Sequence, residues 1–186
     1  MLNTLKNNWK IIVLIAVLII GLVGYLYFEA STFGKLSIVI ISIYSLWLFF
    51  SSYEKKWLTY LTLFLVMSDI YNSHIGLDWS FSIIIVSVIL TVWFLYILTC
   101  PYSGKLNKLY IILICILELE IFLSLILWPI NSIGKSLILV SSFWAFTEIV
   151  HLKKEKQLTN TRVYVISALY LVAMVLVILT SIWESY

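Results

Sequence analysis

The stretch Trp57–Ser73, WLTYLTLFLVMSDIYNS, decides the fold. It reads as an apolar helix, yet it falls short of the ~20 residues that cross a bilayer core, and it carries Asp69 and Asn72. Counted as a membrane span, it is the third of seven. Left out, six spans remain and both termini lie on one side. The other six candidates are Lys10–Ala30, Lys35–Tyr53, Phe81–Cys100, Lys108–Pro129, Lys135–His151 and Val163–Trp183.

Charge placement separates the two counts. With seven spans, one face collects Lys6, Lys10, Lys55, Lys56, Lys105, Lys108, Lys153, Lys154, Lys156 and Arg162, and the other only Lys35 and Lys135. Cytoplasmic loops carry the excess of Lys and Arg, so the N-terminus is expected in the cytoplasm and the C-terminus outside. Dropping Trp57–Ser73 would move Lys105, Lys108 and the cluster from Lys153 to Arg162 to the far side. Seven spans is the expected count. The cluster Lys153-Lys154-Glu155-Lys156 is read as this topogenic signal rather than as a site for anionic lipid.

Composition agrees. The chain has 186 residues, 63% hydrophobic and 11% charged, against about 45–50% and about 25% in soluble domains. So little charge excludes a nucleic-acid binder, a disordered tail and a soluble nucleotide-binding enzyme. The expected fold class is an all-α polytopic integral membrane protein, one transmembrane domain over residues 1–186, in the cell membrane. Trp9, Tyr53, Trp57, Tyr102 and Tyr110 fall at the inner boundary; Tyr27, Trp79, Trp128, Trp183 and Tyr186 fall at the outer one, where amphipathic rings settle. The opening run to Ala30 is too long for a signal peptide, and Phe28-Glu29-Ala30 is a poor cleavage site. It is read as a retained first helix. Cys100 and Cys115 are too few for a disulfide framework and are read as free thiols.

An ungapped self-match occurs at an offset of 100 residues. Gly34-Lys35 meets Gly134-Lys135, Asn7 meets Asn107, Ile11-Ile12 meets Ile111-Ile112, and Ser42 meets Ser142. Lys56, Leu58 and Thr59 meet Lys156, Leu158 and Thr159. A duplication would relate units 7–73 and 107–183 through a connector helix, 81–100, in a 3+1+3 parallel plan; chance matches in a biased composition are the competing account. In topology alone this plan resembles that of the SWEET and PQ-loop transporters. The chain has no Pro-Gln pair and the opposite expected orientation, so no family is assigned and no residue is carried over.

Four acidic residues lie within spans: Asp69, Glu118, Glu120 and Glu148. Ionisable groups at membrane depth mark ion paths or proton relays by default. Such a carboxylate must be neutralised, hydrated or bound to a cation. Asp69 lies twelve residues beyond Trp57 and Glu120 twelve beyond Lys108, so both reach roughly 18 Å into the bilayer at 1.5 Å per residue. The expectation is a cation or proton pathway lined by Asp69, Asn72 and Glu120, with Glu118 or Glu148 as a second station. Against it stands the reading of neutral carboxyls hydrogen-bonded to Ser, Thr or Tyr on neighbouring helices.

Glu148 and His151 have the Glu-x-x-His spacing of bundle metal ligands, a weak signal without a second such motif. His74 and His151 fall on opposite faces and cannot share a metal. A pairing of His74 with Asp78, or of Cys100 with His151, has little support from position. No serine elbow, zinc-protease motif or phosphate loop occurs, and no cofactor is expected. Gly21 and Gly24 form the sole glycine pair within a span, and Ser141, Ser142 and Ala145 offer a small face.

The functional expectation is a small transporter or channel-like protein for protons, inorganic cations or a small cationic substrate. The alternatives are a non-catalytic membrane partner (an immunity, sensory or assembly subunit) and an intramembrane enzyme using the carboxylates as acid and base. Expected partners are the lipid bilayer and either a second copy or another membrane protein, with no nucleic acid.

Overall fold

The computed structural model describes residues 2–29, 32–52, 55–77, 80–99 and 105–180. Tyr53, Asp78, Trp79, Cys100, Tyr102, Trp183 and Tyr186, on which part of the belt and thiol readings rest, lie outside them. The described residues form seven helices: α1 Leu2–Phe28, α2 Thr32–Ser52, α3 Lys55–Leu77, α4 Phe81–Thr99, α5 Lys105–Ile126, α6 Ser132–Lys154 and α7 Asn160–Thr180. Each matches one sequence candidate, with ends shifted by at most four residues except at the start of α1, which lies eight residues before its candidate. Pro129, the proline among the described residues, is not inside a helix, as its missing N–H requires. Pro129 follows the end of α5, and Asn131 then caps α6 by accepting a hydrogen bond from the Gly134 amide at 2.9 Å.

Five helices, α1, α4, α5, α6 and α7, are long and apolar enough to cross a membrane, and α2 holds a shorter apolar run, Thr32–Trp47. The remaining helix, α3, contains the stretch that decides the fold, and it is the hub of the bundle. It packs against α1, α2, α4 and α6. Its hydroxyl residues Thr59, Thr62, Ser68 and Ser73 are all buried. Because neighbouring helices cover it, α3 does not need the apolar surface that its neighbours present. Its 23 residues extend about 34 Å, comparable with a ~30 Å hydrocarbon layer.

The distribution of polarity is inverted relative to a soluble protein. Isoleucine, leucine and valine crowd the exposed surfaces of α1, α2, α4, α5 and α7, while Ser42, Ser45, Ser136, Ser142 and Thr147 are buried inside. Several interior hydroxyls donate to a carbonyl one turn back in their own helix, such as Thr62 to Leu58 at 2.7 Å and Thr147 to Phe143 at 2.8 Å. This local bond satisfies a hydroxyl where water is absent.

Helices α3 and α6 run antiparallel along their length. Lys56 meets Glu148 at one end, Tyr60 packs edge-on to Phe143 further along, and Tyr71 lies under Lys135 at the other end. Gly21 lets α1 approach α3: a Cβ there would sit 3.0 Å from Leu65 Cβ. At the 100-residue offset, Leu14 and Ile114, Ile38 and Ile138, and Ser42 and Ser142 are buried in both halves. Helix neighbours differ between the halves, since α1 packs chiefly on α3 whereas α7 packs chiefly on α6.

Candidate functional site

The four intramembrane carboxylates occupy four different environments. Residues 69 and 71 are about 200° apart on a helix, so Asp69 and Tyr71 project from opposite sides of α3. Asp69 points towards α1 and α4; Tyr71 points towards α5 and α6. The same geometry separates Glu118 from Glu120 on α5: Glu118 is buried and Glu120 is exposed.

Glu118 is wholly enclosed, at 0% exposure. The Ser142 hydroxyl of α6 donates to its Oε1 at 2.9 Å and lies 3.0 Å from its Oε2. One turn along α5 from Glu118, Phe122 stacks on Tyr71, with centroids 4.4 Å apart, and the Tyr71 hydroxyl donates to the Phe122 carbonyl at 3.4 Å. Next to Ser142 on α6, Phe143 meets Tyr60 with centroids 6.2 Å apart. Glu118 therefore matches the reading of a carboxyl that joins helices by hydrogen bonding.

Two further charged groups meet partners on other helices. Lys56 Nζ of α3 lies 3.5 Å from Glu148 Oε2, with both side chains part-exposed. Lys135, which begins the sixth candidate span, is only 1% exposed, and its Nζ sits 5.7 Å from the Tyr71 ring centre. The first turn of α6 packs into the bundle instead of projecting beyond it. His151 pairs with Glu155 at 3.3 Å one turn on. Among the described residues no three His, Cys, Asp or Glu groups gather to hold a metal.

Asp69 is different. Its Oδ1 is buried and has no hydrogen-bond partner, and its carboxyl forms part of a groove of about 450 Å³. The floor is α3, with Val66, Ile70 and Ser73 beside Asp69; one wall is α1 at Gly21 and Gly24, the other α4 at Ser87 and Thr91. A Cβ on Gly24 would overlap the carboxyl, 2.6 Å from Asp69 Cγ. The glycine is thus what allows the acid to lie against α1. Ser87 and Thr91, one turn apart on α4, line the same groove among Ile20, Phe28 and Leu90; the Thr91 hydroxyl donates to the Ser87 carbonyl at 2.7 Å and retains its lone pairs. At about 30 Å³ per water, the groove has room for a cation with several waters.

Asn72 is half-buried on α3 and does not line this groove, where Ser73 stands instead. Glu120 does not line it either. The expected grouping of Asp69, Asn72 and Glu120 along one path is not brought together. The groove residues missed in the sequence, Ser73, Ser87 and Thr91, carry one usable signal: the Ser87–Thr91 spacing places two hydroxyls on one face of an otherwise apolar helix. Compared with known families, characterised proteins and solved structures, the chain finds no match, so the site is read from its own geometry.

Proposed function

We propose that this chain is a seven-span protein of the cell membrane, N-terminus cytoplasmic, that carries protons or small cations with Asp69 as its binding carboxylate. The observation that carries this reading is a carboxyl that lines a groove between α1, α3 and α4 and has one buried oxygen without a hydrogen-bond partner. A carboxylate held at membrane depth without a partner favours whatever brings it positive charge. Supporting the span count is α3, which runs alongside α6 from Lys56–Glu148 to Tyr71–Lys135 and so traverses the same thickness. The ten-to-two division of the cations supports the orientation. The 3+1+3 duplication belongs to the same proposal and accounts for both copies pointing the same way.

Within this reading Glu118 and Glu148 are structural. One is fully buried against Ser142 and the other already has Lys56. The test is flux in proteoliposomes, using pH-sensitive and cation-sensitive dyes, for the parent, Asp69→Asn and Glu118→Gln. Flux in the parent and Glu118→Gln that disappears in Asp69→Asn is the expected result. No flux in the parent, or unchanged flux in Asp69→Asn, would refute the proposal.

A further inference from the structure

The outward face of α5 carries an acid where lipid should be. Leu109, Leu113, Ile116, Glu120, Ser124 and Leu127 are all exposed, and their spacing of three and four residues places them on one stripe. Glu120 lies near the middle of that stripe, roughly 18 Å from Lys108 along the helix. The Ser124 hydroxyl donates to the Glu120 backbone carbonyl at 2.8 Å, not to its carboxylate. Alongside runs an apolar groove of about 580 Å³ between α4 and α5, with Trp93 and Ile97 on one bank and Ile112, Ile116 and Leu119 on the other. Ile116 belongs to both stripe and groove. A long apolar body can therefore lie in the groove with a polar group against Glu120.

We propose that this face docks a transmembrane helix of another protein that presents a lysine or arginine at mid-membrane depth to Glu120. Charge chooses among the occupants. An acyl chain would fill the groove but leave the carboxylate unpaired, and the amine of a phospholipid stays at the headgroups. Among the described side chains, a second copy of this chain offers no cation at the right level: Lys35, Lys56, Lys108, Lys153, Lys154, Lys156 and Arg162 lie near helix ends, and Lys135 is buried. A foreign helix with a central cation satisfies both the groove and the acid, since polar pairs between helices stabilise association in lipid. This inference is independent of the transport reading, because Asp69 lines the groove between α1, α3 and α4 whereas Glu120 stands on the exposed stripe of α5.

The test measures energy transfer in proteoliposomes between the labelled protein and a synthetic Leu/Ala transmembrane peptide with one central lysine. The same peptide with leucine at that position is the control. The parent should bind the lysine peptide about tenfold more tightly. Glu120→Leu should lose that preference while its thermal midpoint does not fall, because the residue is exposed; Asp69→Asn should retain the preference. Equal binding of the two peptides by the parent would overturn the proposal. So would preference retained in Glu120→Leu, preference lost in Asp69→Asn, or self-association of the parent that vanishes in Glu120→Leu.

Discussion

The Asp69 carboxyl fills the space that a side chain at position 24 would occupy: a Cβ on Gly24 would come within 2.6 Å of Asp69 Cγ. In an isolated helix, Gly→Ala would be favourable by about 1 kcal/mol. Here Gly24→Ala should instead cost about 1–3 kcal/mol through overpacking, or expel the carboxyl from its place against α1. Either way flux should fall towards that of Asp69→Asn. A thermal melt in detergent together with the liposome assay checks it. A more stable protein with parental flux would show that the acid does not need this glycine.

The Glu118–Ser142 contact should behave as an interhelical bond. A double-mutant cycle on Glu118→Gln and Ser142→Ala should yield a coupling of about 0.6–1.7 kcal/mol, read from denaturation in detergent. Flux in Glu118→Gln should stay within about twofold of the parent, a difference of under ~0.5 kcal/mol in barrier. A much larger drop with the fold intact would relocate conduction to the sealed interior.

Tyr71 should matter for its ring more than for its hydroxyl. Tyr71→Phe keeps the stack on Phe122 and the surface beneath Lys135, losing only a 3.4 Å hydrogen bond, and should cost at most about 1 kcal/mol. Tyr71→Ala removes the whole contact between α3 and α5 at that level and should cost about 3–5 kcal/mol. Similar losses in the two variants would mean that the hydroxyl carries the interaction.

Helix number was legible because an apolar run of about 20 residues ending in lysine or an aromatic is a strong local signal. The position of α3 at the centre was partly legible too: Thr59, Thr62, Ser68, Asp69 and Asn72 make a poor lipid-facing surface, which is itself an argument for a covered helix. Partners were not legible. A rise of 1.5 Å per residue sets the level of Asp69 and of Glu120, but not the direction in which either side chain points. Direction depends on which helices become neighbours. Helix α5 turns Glu118 inward to Ser142, and the 200° between residues 118 and 120 then turns Glu120 out. Lys135 shows the same limit: its place at the start of the sixth candidate span sets its level, but not its burial against Tyr71.

Topology gives the most direct contrast, because the six-span and seven-span counts exchange the sides of every loop after α3. Ser80, between α3 and α4, and Gln157, between α6 and α7, are both exposed. The Gln157 side chain contributes an exposed hydrogen bond from Arg162 at 2.9 Å, worth about 1 kcal/mol or less, and its backbone bonds to Leu152 and Arg162 survive substitution. Single cysteines at these positions, in a background with Cys100→Ser and Cys115→Ser, should therefore leave the fold intact. With α3 crossing the membrane, an impermeant maleimide added to intact cells should label Ser80→Cys and reach Gln157→Cys only after permeabilisation. Were α3 to lie on the inner surface, the two results would exchange. The cluster from Lys153 to Arg162 would then sit outside, against the general bias of basic loops. The pairing of Lys56 with Glu148 and of Tyr71 with Lys135 argues for the first outcome, since α3 can reach both ends of α6 only by running beside it through the bilayer.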